Sequence, residues 1–185
     1  MNSDIKEVLL TEEQIQNRVR ELGAELTKEY ADKKVVMIVL LKGAAYFATD
    51  LSAAMDMPVR MDFMVASSYG NGTESSGTLV IRLDVNDNIA GKHVLLVDDI
   101  IDSGLTFASM KRLLETKHPA SIKTVALCDK SERRQNGFQA DYVGFKVPDE
   151  FVVGYGLDYA GDYRNLPYIG ILKSSVYGRS ITGKE

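Results

Sequence analysis

The stretch Val94-Leu-Leu-Val-Asp-Asp-Ile-Ile-Asp-Ser-Gly-Leu-Thr106 constrains this chain more than any other. Four consecutive apolar residues, Val94 to Val97, read as a strand buried on both faces. They run into two adjacent carboxylates, Asp98 and Asp99, then a third, Asp102, and a small loop, Ser103-Gly104-Leu105-Thr106. Apolar residues at helical spacing follow: Phe107, Met110, Leu113 and Leu114. A strand that passes through a polar loop into a helix is where an open α/β sheet holds its ligand. Free N–H groups at the helix start, with the Ser103 and Thr106 hydroxyls, favour a phosphate. The three carboxylates cannot also face that phosphate. They suit sugar hydroxyls, a hydrated Mg²⁺ or a proton transfer. Adjacent residues on a strand point to opposite sides, so Asp98 and Asp99 are expected to diverge.

The other segments place this unit in a larger sheet. Thr11-Glu-Glu-Gln14 has capping-box spacing, and Ile15, Val19, Leu22, Leu26 and Tyr30 continue at helical period. Strands are expected over residues 35–41, 58–66, 78–84, 122–128, 142–145, 151–155 and 168–172, and a helix over 44–55. The polar tail from Ser174 is expected to fray. Strands alternate with helices in the first two-thirds, which predicts an α/β domain with a mostly parallel sheet. The final third is richer in strand. Residues 67–77 hold three glycines and almost no apolar side chain. Between two strands such a segment reads as a lid, with Tyr69 the one large group able to cover a ligand.

Composition excludes several functions. The net charge is −4 and the pI about 5.3, so the surface does not suit nucleic acid as main partner. No apolar run approaches the ~20 residues of a membrane span, and the N-terminus lacks a signal-peptide core, so the cytoplasm is expected. Cys128 is the single cysteine, which precludes an intramolecular disulfide and a cysteine-based zinc site. Two further strands end in polar residues, Lys42-Gly43 and Asp129-Lys130. Each lysine taken alone reads as an ordinary solvated one.

The thirteen residues from Val94 to Thr106 resemble the phosphoribosyl-pyrophosphate motif of type I phosphoribosyltransferases. Other segments are similar to the hypoxanthine-guanine branch of that family. Leu41-Lys42-Gly43 resembles its pyrophosphate loop, and Ser67-Ser68-Tyr69-Gly70 the start of its lid. Asp129-Lys130 and Phe151-Val152-Val153-Gly154-Tyr155 resemble its purine pocket. Leu157-Asp158-Tyr159 and Arg164 resemble its metal and pyrophosphate contacts.

The resemblance implies a type I phosphoribosyltransferase fold forming one domain over residues 1–185. Its core would span about residues 33–145, its β-rich hood about 1–10 and 146–185, and its mobile lid about 67–78. It implies Mg²⁺-dependent transfer of phosphoribose from phosphoribosyl pyrophosphate to a 6-oxopurine, by a homodimer or homotetramer. Asp98 and Asp99 would meet the ribose 2′- and 3′-hydroxyls, and through them the metal, while Asp102 acts as general acid/base at the purine. Ser103, Gly104, Leu105 and Thr106 would form the 5′-phosphate site, and Ile101 would be a further substrate-binding residue. Lys42, Gly43 and Arg164 would hold pyrophosphate, Asp158 a Mg²⁺, and Ser68 and Tyr69 would close over the leaving group. Lys130 would donate to the purine O6, Phe151 stack on the base, and Val152 offer backbone groups to its edge. The peptide before Lys42 can be cis in the family. Most of the branch carries Glu where this chain has Asp98, so the shorter side chain is expected to change ribose contact modestly and not the reaction. A shifted purine preference, including xanthine, and a non-catalytic nucleotide sensor are the other readings.

Overall fold

The computed structural model describes residues 3–68 and 79–178. The chain begins with β1 (Ile5–Leu10) and α1 (Glu12–Glu29), whose N-cap is Thr11. The Thr11 Oγ1 accepts the Gln14 N–H at 3.2 Å, and the Gln14 Oε1 accepts the Thr11 N–H at 2.8 Å, closing the capping box. Next come β2 (Val35–Leu40), α2 (Ala44–Ala54), β3 (Val59–Ser68), β4 (Leu79–Leu83), β5 (His93–Ile101), α3 (Leu105–Glu115), β6 (Ser121–Asp129) and β7 (Tyr142–Lys146). These strands form one six-stranded sheet in the order β4-β3-β2-β5-β6-β7, parallel throughout except for the antiparallel β3–β4 pair.

The apolar runs explain the layering. All six β2 residues are buried, Val35, Met37 and Val39 beneath α1 and α2, Val36, Ile38 and Leu40 on the α3 side. β5 follows suit: Leu95 and Val97 join the first layer, Val94 and Leu96 the second. A strand covered on both faces needs no polar alternation, hence the unbroken apolar stretches. The polar residue Asp62 in β3 is buried because its Oδ2 accepts the Asn86 and Asp87 N–H groups at 2.7 and 2.8 Å, tying down the turn before β5.

A second, three-stranded antiparallel sheet has the order β1-β9-β8, with β8 at Val152–Val153 and β9 at Ile169–Leu172. The strand expected over 151–155 is therefore only two residues long. Gly154 and Tyr155 have φ of 102° and 48°, and the chain turns there, Gly154 pairing back to Leu157. The tail is also different from expectation: Ser174–Tyr177 form a one-turn helix, α4, because Val176 and Tyr177 pack on the second sheet. Among the described residues no helix is long and apolar enough to cross a membrane. Ser68 closes β3, while Tyr69 and the rest of the expected lid, through residue 78, lie outside the described residues.

Candidate active site

β5 extends to Ile101, four residues past the apolar run, because β6 keeps pairing with it through Ile100–Cys128 and Ile101–Asp129. The chain then leaves the sheet at Asp102 and enters α3 through Gly104, whose φ of 81° favours glycine. A side chain there would also meet Asn136 Oδ1 at 2.6 Å. The Ser103 Oγ accepts the Leu105 N–H at 3.3 Å, while the N–H groups of Thr106 and Phe107 have no acceptor among the described residues. Leu105 and Thr106 are exposed and Ser103 half-buried, so this donor set faces solvent, as an anion site requires.

The loop is clasped from outside by residues 130–138. The Gln135 N–H donates to Ser103 O at 3.1 Å, Asn136 Nδ2 to Gly104 O at 3.2 Å, and Arg134 Nη1 to Asp102 O at 3.1 Å. Arg134 also forms a buried ion pair with Asp129, and Phe138 stacks on Phe107 at 5.5 Å. The sequence shows Arg133-Arg134 only as a small charge cluster. The partners lie some thirty residues upstream, so no periodicity or local spacing announces the clasp. Asp102 is half-exposed, and its Oδ2 accepts from Arg133 Nη1 at 3.0 Å, while Arg133 Nε donates to Asp149 at 2.9 Å. Asp102 Oδ1 keeps no protein partner among the described residues.

The opposite wall is built on the turn from β2 into α2. The Leu41–Lys42 peptide is cis, and the N–H groups of Lys42, Gly43 and Ala44 meet no acceptor among the described residues. Gly43 lies against Asp99: a Cβ there would fall 1.6 Å from Asp99 Oδ2 and 3.0 Å from Gly156 O. Arg164 Nη1 donates to Gly156 O at 2.5 Å, and its Nη2 pairs with Asp158 Oδ1 at 2.6 Å. The Asp158 Oδ2 accepts the Gly161 N–H at 2.8 Å. Lys42-Gly43, Asp99, Gly156, Asp158 and Arg164 thus converge from β2, β5 and the turn after β8.

Asp98 and Asp99 stay close instead of diverging as strand alternation predicts: Asp98 Oδ1 accepts the Asp99 N–H at 2.9 Å, and each carboxyl shifts the other. Burial pushes both above the usual carboxylate range, and the neighbouring Asp99 charge raises Asp98 further. Hydrogen bonds and the Arg164 cation hold Asp99 partly down. A carboxyl raised in the folded state binds more protons there than in the unfolded chain, so stability falls as pH rises from about 4 through its folded pKa. Asp98→Asn is therefore expected to stabilise the free protein at neutral pH relative to acid pH. Melting curves between pH 4 and 8 should show a flatter profile for the variant; parallel profiles would count against a raised carboxyl at Asp98.

At the end of β6, Lys130 is 8% exposed, and its N–H donates to Ile101 O at 2.9 Å. Ile101 itself is buried, so it supports Lys130 through its carbonyl. The Lys130 ammonium has no hydrogen bond or ion pair among the described residues, and burial lowers its pKa. Phe151 is half-buried beside β8. Leu172 N–H donates to Phe151 O at 2.8 Å, which makes Phe151–Leu172 a hydrogen-bonded pair. By alternation the backbone N–H and C=O of Val152 point away from β9, off the free edge of the sheet.

Among the described residues no three His, Cys, Asp or Glu side chains group to hold a metal on their own. A cavity of about 910 Å³ lies at the amino ends of β2, β3 and β5, lined by Lys33, Lys34, Val35, Val59 and Lys92, and touches none of the site residues.

A parallel sheet with an acidic strand end, a loop of free N–H donors and a second donor turn is an arrangement suited to a phosphorylated sugar. Residues 7–160 match the phosphoribosyl transferase domain model, and the chain belongs to the phosphoribosyltransferase family. Its relatives place it in the hypoxanthine-guanine branch. It is 52% identical over 177 residues to the hypoxanthine-guanine phosphoribosyltransferase of Bacillus subtilis, covering 96% of this chain and 98% of that one. A crystal structure of a hypoxanthine phosphoribosyltransferase from Staphylococcus aureus superposes with a TM-score of 0.92 at 51% identity, covering 96% of this chain and 98% of that one. The chain is also 51% identical to part of the bifunctional protein TilS/HprT of Listeria innocua, of whose length it spans 27%.

Proposed function

We propose that this chain transfers the 5-phosphoribosyl group of phosphoribosyl pyrophosphate to hypoxanthine or guanine, releasing pyrophosphate and forming IMP or GMP. The observation that carries this reading is Lys130, a lysine 8% exposed with no hydrogen-bond or ion-pair partner among the described residues, one strand away from the anion loop. A buried ammonium without a partner is costly, and a ligand acceptor resolves it. The purine O6 is such an acceptor, whereas the amino group of adenine offers a donor at the same position.

The 5′-phosphate takes the N–H groups of Thr106 and Phe107 and the hydroxyls of Ser103 and Thr106, around the turn at Gly104 and Leu105. The ribose hydroxyls donate to Asp98 and Asp99. Because Asp98 Oδ1 already accepts the Asp99 N–H at 2.9 Å, its remaining oxygen makes the ribose contact. Pyrophosphate accepts from the Lys42 and Gly43 backbone and from Arg164, with Ser68 and Tyr69 closing over it. Phe151 stacks on the base and Val152 hydrogen-bonds its edge.

In the chemical step the bond from C1 to the pyrophosphate oxygen breaks, and a bond from C1 to a purine nitrogen forms. The purine loses one ring proton, for which Asp102 Oδ1 is the acceptor; such a base contributes ~10²–10⁴ in rate. Mg²⁺ suits a site with one carboxylate, Asp158, and substrate oxygens, and when bound it neutralises charge on the leaving group. Asp158 would hold it by exchanging its contact with Arg164, freeing that cation for pyrophosphate.

The reading extends to a cytoplasmic enzyme acting as a homodimer or homotetramer, without nucleic acid or membrane partner. Turnover of hypoxanthine, guanine, xanthine and adenine, each with phosphoribosyl pyrophosphate and Mg²⁺, tests it. Hypoxanthine and guanine are expected to lead; no turnover of any base would overturn the enzyme reading. Lys130→Gln is expected to raise KM for the 6-oxopurines roughly 10–100-fold, the worth of one hydrogen bond to a charged group. It should also narrow their advantage over adenine, and an unchanged base ranking would remove Lys130 from O6.

A further inference from the structure

We infer that Tyr177 is a positioning residue for the purine, serving as the backing ring of Phe151; this rests on the reading that Phe151 stacks on the base. The Tyr177 and Phe151 rings are stacked, with centroids 5.0 Å apart and planes 22° from parallel. Tyr159 meets Phe151 nearly at a right angle, with centroids at 5.5 Å. Phe151 stays half-buried, so one of its faces is covered by Tyr177 and part of the ring is left for a ligand.

Tyr177 is held there by the contacts that seat α4 on the second sheet. The N-cap of α4 is Lys173, whose N–H donates to Asp4 O at 2.9 Å and whose Nζ donates to Ser3 O at 2.6 Å. The Val176 N–H closes the turn onto Lys173 O at 2.9 Å. Val176 and Tyr177 then pack with Leu172, Val153 and Ile5, all of them in the second sheet. Three separate segments are thus spent on fixing one aromatic ring against another.

Fixing Phe151 before the base arrives removes the ordering of a free side chain from the cost of binding. Offset stacking also contributes beyond buried area, and the purine extends the pile to three rings: Tyr177, Phe151 and base. The consequence is confined to base binding. Phosphoribosyl pyrophosphate is held by the ends of β2 and β5, the start of α3 and the turn that carries Asp158 and Arg164, whereas the ring partner of Tyr177 is Phe151.

The test is steady-state kinetics of Tyr177→Ala, Tyr177→Phe and Phe151→Leu, with melting curves alongside. Tyr177→Ala is expected to raise KM for hypoxanthine and guanine ~3–10-fold, the range of one aromatic stack. KM for phosphoribosyl pyrophosphate and kcat should stay within about twofold, and Tyr177→Phe, which keeps the ring, should restore the base KM. If Tyr177→Ala does not fold, Tyr177→Leu fills the space without a π face and is read in the same way. An unchanged or lowered base KM overturns the inference, the latter because Tyr177 would then be occupying the place of the base. Failure of Tyr177→Phe to rescue overturns it too, since the hydroxyl and not the stack would matter. Phe151→Leu separates the two levels: a raised KM there with none in Tyr177→Ala removes Tyr177 alone, whereas no change in Phe151→Leu removes the base reading itself.

Discussion

Gly43→Ala is expected to lower kcat/KM for phosphoribosyl pyrophosphate by about 10²-fold or more while leaving the protein folded. The backbone at Gly43 has φ −61° and ψ −41°, which alanine adopts freely, so the effect is not one of strain. It is one of space. The new methyl would stand 1.6 Å from Asp99 Oδ2 and 3.0 Å from Gly156 O. The carboxylate is the only one of the two able to swing away, and it does so out of the ribose site. Because Asp98 sits beside it, with its Oδ1 on the Asp99 N–H, the displacement disturbs both sugar contacts. A misplacement of about 1 Å is sufficient for a loss of that order. Tm should move by only a few degrees, and KM for the base should rise far less than KM for phosphoribosyl pyrophosphate. Wild-type turnover in a folded Gly43→Ala would mean that Asp99 has no part in holding the sugar.

The second large effect belongs to Arg134→Leu. The side chains of Arg134 and Asp129 are 11% and 12% exposed, and removing the cation leaves a buried carboxylate without its partner. Breaking a buried pair in this way costs about 3–5 kcal/mol. For a domain of this size that is roughly 6–20 °C in Tm. The loop that Arg134 holds through Asp102 O should loosen as well, so activity falls before the protein unfolds. The double variant Arg134→Leu/Asp129→Leu separates the two consequences, because well-packed apolar pairs often replace buried ion pairs at little cost. Its Tm should return most of the way while activity stays low. Equal unfolding midpoints for wild type and Arg134→Leu would show that the pair is solvated.

The parallel core was legible because burial on both faces leaves a mark in the sequence. β2 and β5 are unbroken apolar runs, and each helix over them carries its stripe: Ile15, Val19, Leu22 and Leu26 on α1, Phe47 and Leu51 on α2, Phe107, Met110 and Leu114 on α3. The strand-end motif was legible for a different reason, since a donor loop needs small residues in a fixed order. What could not be read is whatever depends on approach between distant segments. β5 runs through its acids because β6 accompanies it, and no local property of Asp98 or Asp99 says so. Gly43 and Gly156 look like ordinary turn glycines until a carboxylate and a carbonyl are placed against them. The hood strand over 151–155 looks longer in sequence than it is, because Tyr155 is as good a strand residue as Val153. It leaves the sheet to bond Asp50 instead, its hydroxyl donating to Asp50 Oδ2 at 2.6 Å. Polar composition misjudged the start of the tail, Ser174 to Tyr177, where Val176 and Tyr177 outweigh their neighbours; residues 179–185 lie outside the described residues.

The small sheet joins Ile5–Leu10 to Ile169–Leu172, and that has a consequence for biosynthesis. β9 is the middle strand, so β1 has nothing to pair with until residue 169 has been made. At about 5–20 residues per second, β1 waits roughly 8–30 s on the ribosome while the six-stranded sheet closes behind it. An unpaired strand is an adhesive edge, and the protein's own limits it: Lys6 and Glu7 sit exposed among the aliphatics of β1. The purine side of the cleft is thus the last part of the molecule to be assembled, after the phosphate side is already in place.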